Sequence, residues 1–246
     1  MERIIEICCG SYEDALAAYR GGAKRVELNS ALHLGGLTPS VGALVLTKKS
    51  TDLKVITMVR PRGAGFHYSD ADFATMKLDT ELMLKNGADG IAFGCLDMQG
   101  NIEKEQTKEI IEIIKKYGGE IVFHRAFDCV QDPYESIETL ISMGVDRILT
   151  SGQKATAMEG LPLIADLQRK YGDQIELQAG SGMNASNAKE MMDRTGITQV
   201  HSSCKGWMCD PTTTGEEVTY TYASKFHVND YEVVDEKLVK ELIESL

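Results

Sequence analysis

Within nine positions, the stretch Glu120-Ile-Val-Phe-His-Arg-Ala-Phe-Asp128 gathers residues able to move protons and to recognise anions. An unperturbed histidine titrates near neutrality, so His124, like His201 further along the chain, suits a general acid or base. Period-two alternation along an extended chain puts His124, Ala126 and Asp128 on one face, where Asp128 could orient the imidazole. A buried histidine that merely satisfies a carboxylate would leave the same pattern. Arg125 is adjacent, and Arg60 and Arg62 flank Pro61. Their planar guanidinium forks match carboxylate or phosphate oxygens. Glu6 and Glu27 join His124 and Asp128 as the candidate catalytic set. The competing reading is that the two glutamates only neutralise Arg60, Arg62 and Arg125 in a core network.

A second chemistry is written in Ala179-Gly-Ser-Gly-Met-Asn184. Glycines at 180 and 182 allow close backbone approach, and a helix starting near 184 would turn free N–H groups toward an anion. Ser181, His201 and Ser203 add side-chain donors. Gly180, Ser181, Gly182, His201 and Ser203, with Arg60, Arg62 and Arg125, are the candidate contacts to a small anionic or phosphorylated metabolite. A tight turn with no ligand would require the same glycines.

These residues share one position in the local pattern. Each follows an apolar run: Glu6 and Cys8 after Ile4-Ile5, Glu27 after Val26, Arg60 after Val55 to Val59, His124 after Ile121 to Phe123, His201 after Val200. Buried strands that turn polar at their carboxyl ends describe a parallel sheet whose ends open into a site. Helical segments alternate with them, over 12–20, from Pro39 at the first helical position to 50, then 69–87, 103–117, 133–143, 156–171, 184–195 and 235–245. Helix-ending glycines recur at Gly22, Gly87, Gly144 and Gly196, each followed by a short step into a strand. The spacing is too long for one strand–helix unit and right for two. Four such double units predict a single α/β domain over 1–246, an eight-stranded TIM (β/α)8 barrel, with a long loop over 205–230 after the eighth strand. An open doubly wound sheet is the runner-up, but Cys8-Cys-Gly-Ser11 lacks its Gly-rich fingerprint.

Composition narrows the partners. A formal net charge of −11 argues against nucleic acid, whose phosphates need a basic face. No apolar run reaches the roughly 18 residues of a membrane span, and the start of the chain carries no export signal. The expectation is a cytoplasmic protein with six free cysteines rather than a disulfide framework.

Taken together, Glu6-Ile-Cys8, Gly22-Ala-Lys-Arg-Val-Glu-Leu28, Gly35-Gly-Leu-Thr-Pro-Ser40, Arg60-Pro-Arg-Gly63, Phe123-His-Arg-Ala-Phe-Asp128, Leu149-Thr-Ser-Gly152 and Glu159-Gly-Leu-Pro-Leu163 resemble the CutC copper-homeostasis family over about 1–207. The resemblance implies a cytoplasmic TIM barrel that forms a homo-oligomer and serves copper tolerance or trafficking. It also implies Cu(I) ligands among cysteines after the first two strands. Cys8 matches the first; Asn29 occupies the second, where an amide is a poor substitute for a thiolate. Cys9, Cys95 or Cys204, with Met58 or Met183, would compensate only by reaching the same mouth. Two readings result: a copper-binding homeostasis protein, and an enzyme acting on a small anion.

Overall fold

Alternating strands and helices close on themselves in the computed structural model, which describes residues 3–224 and 226–246. The strands β1 (Ile4–Cys9), β2 (Arg25–Leu28), β3 (Lys54–Met58), β4 (Gly90–Phe93), β5 (Glu120–Phe123), β6 (Arg147–Thr150), β7 (Glu176–Gly180) and β8 (Gln199–Ser202) pair in parallel, in chain order. The last pairs with the first, placing Glu6 opposite His201. The helices α1 (Tyr12–Arg20), α2 (Val41–Ser50), α3 (Asp70–Lys85), α4 (Lys104–Tyr117), α5 (Pro133–Met143), α6 (Leu161–Tyr171), α7 (Ala188–Thr195) and α8 (Glu236–Glu244) complete a TIM barrel. None of the described helices is long and apolar enough to cross a membrane.

Local sequence explains the helices. Ser11 accepts from the Asp14 N–H at the start of α1, Ser69 and Asp72 form a reciprocal capping box on α3, and Asp132 caps α5 just before Pro133. In α4 the spacing of Thr107, Ile110, Ile111 and Ile114 buries one face and leaves the lysines and glutamates outside. All four repeat glycines, Gly22, Gly87, Gly144 and Gly196, have φ between +79° and +98°. That left-handed conformation ends each helix at little steric cost to glycine.

Several expected boundaries move. Pro39 precedes the Ser40 cap rather than opening α2. The sixth and seventh helices begin at Leu161 and Ala188, later than the apolar pattern indicated, because 156–160 and 184–187 are used as turns. The long segment after β8 is not merely a loop: β9 (Lys205–Cys209) and β10 (Asp230–Val234) pair antiparallel, and Asp14 fixes the end of that pair by accepting from the Val234 N–H at 2.7 Å.

Two apolar regions result. Ile7, Cys9, Val26, Phe93 and Phe123 pack outward against the helices, while Ile56, Met58, Ala92 and Val122 form a separate cluster. The separate cluster lies on one side of the lumen, from β3 to β5. The opposite side, from β6 round to β2, carries polar and charged side chains. That asymmetry positions the site.

Candidate functional site at the barrel mouth

The lumen is floored by a buried charge network. Arg147 is 0% exposed, and its guanidinium meets Glu6 at 3.1 Å, Glu120 at 2.5 Å and the Gln199 amide oxygen at 3.3 Å. Arg25 reaches Glu6 at 2.7 Å and Gln199 at 2.5 Å. Glu6 therefore neutralises Arg25 and Arg147, not Arg60, Arg62 or Arg125. Neither floor arginine stands among the candidate site residues, yet the repeat contained the signal. The third residue after each repeat glycine is Arg25, Gly90, Arg147 or Gln199, and three of these four reach the floor network.

Above the floor opens a cavity of about 350 Å³. Cys8, Glu27 and His201 stand together at its base, their donor atoms all within 4.8 Å of one another. His201 Nδ1 bonds the Glu6 carboxylate at 2.9 Å, and its Nε2 lies 3.8 Å from Glu27. Burial disfavours a charged imidazole, but Glu27 and Glu6 outweigh it and raise the His201 pKa. Burial likewise raises the Glu27 carboxyl against the pull of His201 and Asn29. Glu6 ends well below the usual carboxylate range: burial opposes this, but Arg147, Arg25 and His201 prevail. Flanked by two carboxylates, His201 sits in surroundings that favour a held proton or a cation over an anion at this end of the cavity.

The Cys8 Sγ lies 3.8 Å from Glu27 and receives a contact from the Asn29 amide at 3.6 Å. Burial and the neighbouring Glu27 push its thiol pKa well up. Met58 and Met183 line the cavity with it. Cys9, Cys95 and Cys204 do not: Cys9 packs in the main core and bonds the Ile7 carbonyl, and the other two are buried elsewhere. All six cysteines are free.

On the opposite wall the expected His124–Asp128 pair does not form. β5 ends at Phe123 and the chain coils into a 3₁₀ helix over Arg125–Cys129, so period-two alternation stops at His124. The Ala126 N–H donates to His124 Nδ1 at 3.1 Å. Asp128 turns away to bind Arg125, the Thr150 hydroxyl, Ser151 and the Gln153 N–H, which anchors the β6 exit loop. Through that anchor it holds Arg125 at the cavity rim. Arg60 lines the cavity, but its fork is spent on the carbonyls of Leu34, Gly36 and Ala64. Arg62 stays off the mouth, bonded to Asp72 and the His67 carbonyl.

The β7 exit reaches the cavity through Ser181, Gly182 and Met183, while Gly180 lies just behind. The Ser181 hydroxyl is engaged by the Ala155 carbonyl. Because α7 starts only at Ala188, its N-terminus is set back from the position expected for an anion. In the loop itself Gly182 has φ +75°, and the Gly182 and Met183 N–H groups have no acceptor among the described residues. Ser203 joins from β8, and Lys205 and Glu232 bring the β9–β10 pair to the rim.

The base of the cavity fits copper through its donor chemistry. Thiolate and imidazole both suit copper, Glu27 supplies a harder third donor, and Glu6 on Nδ1 is the carboxylate partner that commonly orients a metal-bound imidazole.

A CutC family model matches residues 3–206. The CutC family protein of Treponema denticola is 45% identical over 216 residues, covering 88% of this chain and 87% of that one. The human copper homeostasis protein cutC homolog is 42% identical over 202 residues, covering 82% of this chain and 73% of that one. The crystal structure of CutC from Streptococcus agalactiae superposes with a TM-score of 0.77 at 28% identity, over 82% of this chain and 98% of that one. With the barrel, the motif residues and this family match in agreement, the chain belongs to the CutC family.

Proposed function

We propose that the protein serves copper homeostasis by holding a copper ion as cargo at the base of the barrel mouth, through Cys8, His201 and Glu27. The observation that carries this reading is the meeting of a thiol, an imidazole and a carboxylate within 4.8 Å. Copper would displace the proton that burial keeps on the Cys8 thiol, so uptake should release a proton. Glu6 accepts from Nδ1–H of His201 and leaves Nε2 for the ion. Met58 and Met183, in the same cavity, are soft groups that tolerate Cu(I) nearby. In this reading the protein works in the reducing cytoplasm, in keeping with six free cysteines.

Competition against a Cu(I) chelator tests the reading. Cys8→Ser and His201→Gln should each weaken Cu(I) binding by about tenfold or more, since each removes a preferred ligand. Tight binding that survives Cys8→Ser would reject it.

A further inference from the structure

We propose that the wall of the mouth opposite Cys8 receives a small organic oxyanion, a carboxylate or phosphate monoester, with one oxygen accepting a hydrogen bond from His124 Nε2. This site is separate from the copper ligands and does not depend on them.

The tautomer is set by the backbone. Because the Ala126 N–H donates to Nδ1, that nitrogen carries the lone pair, and the proton of the neutral ring sits on Nε2. The ring is 2% exposed and lines the cavity, yet Nε2 has no partner among the described residues. Buried donors in native proteins are almost always paired, so a lone one beside a cavity asks for an acceptor. Burial first, and then Arg60 and Arg125, push the pKa of His124 down to about 3. The ring therefore remains a neutral donor across the physiological range, the state used where an imidazole polarises an oxygen.

The surroundings specify charge as well as an acceptor. Arg60 is buried, and its guanidinium bonds only backbone carbonyls, so no carboxylate neutralises it among the described residues. Arg125 stands at the rim with its side chain 42% exposed and, among the described residues, only Asp128 as an ionic partner. Phe66 packs against both the Arg60 guanidinium and the His124 ring, each at 5.1 Å, and gives the ligand an apolar surface. Across the cavity the backbone N–H groups of Gly182, Met183 and Ser203 lack acceptors among the described residues. A cavity of about 350 Å³ with donors at both sides suits a small molecule rather than a polymer.

The test uses the full chain, stripped of metal with a chelator, titrated with inorganic phosphate, acetate and glycerol 3-phosphate at fixed ionic strength. Calorimetry should show binding of at least one probe. His124→Asn keeps an oxygen for the Ala126 N–H but places nothing at Nε2, and should weaken that binding about tenfold or more. In the ¹⁵N spectrum of wild-type protein, Nδ1 should appear unprotonated, and the Nε2–H resonance should move on adding the same probe. Because this second reading needs no variant, it decides the matter even if His124→Asn fails to fold. Binding undiminished in His124→Asn, an Nε2 resonance unmoved by a bound probe, or no binding of any probe would overturn the proposal.

Discussion

His201 Nδ1 and the Glu6 carboxylate lie 2.9 Å apart between register-paired strands β8 and β1, and the same carboxylate also bonds Arg25 and Arg147. One side chain thus joins the structural floor to the group at the base of the mouth. Its two oxygens divide the work, Oε2 to the arginines and Oε1 to the histidine.

Removing that charge should be costly. Glu6→Gln leaves two buried guanidiniums short of an anion, and uncompensated buried charge typically costs about 3–5 kcal/mol. Urea denaturation should show a lowered midpoint with an unchanged slope. A loss below about 1 kcal/mol would mean that Glu120 carries the floor alone, at odds with a shared network.

His124 should make the fold sensitive to acid. In the unfolded chain it takes up a proton below about pH 6.5, whereas the folded ring resists protonation until about pH 3. Between those values the unfolded state holds the extra proton, so stability falls as pH drops, by up to about 1.4 kcal/mol per pH unit from this group. Denaturation of wild type and His124→Asn from pH 7 to pH 4 should give a shallower decline in the variant. Parallel curves would show that the folded ring protonates normally.

A second thiol should restore soft ligation. The Asn29 amide nitrogen is 3.6 Å from Cys8 Sγ, so Asn29→Cys would place sulfur beside sulfur. Under reducing conditions Cu(I) affinity should rise by about tenfold or more, because thiolates select Cu(I) over amide donors. Chelator competition that ranks the variant at or below wild type would count against a copper site at this position. Asn29 also bonds Glu27 at 2.9 Å, so the variant should raise the Glu27 pKa further.

The barrel itself was legible in the sequence. Helix-ending glycines at 22, 87, 144 and 196 and apolar runs with polar exits are local properties, and local periodicity determines element type and order. The gathering of Cys8, Glu27, His124, Arg60 and His201 at one mouth also followed, because parallel strands deliver their carboxyl ends to one face. What the sequence did not determine was who pairs with whom. Period-two alternation held only while the chain stayed extended, so Asp128, displaced by a 3₁₀ turn, went to Arg125 and Ser151 rather than to His124. Arg147 and Glu6 meet across the lumen although 141 residues separate them, and no local pattern encodes that distance. Nor does local pattern encode burial, which raises the Cys8 thiol and lowers His124 to about 3. Desolvation and charge proximity arise only when the strands close into a barrel, and those two effects turn a row of polar strand ends into a site.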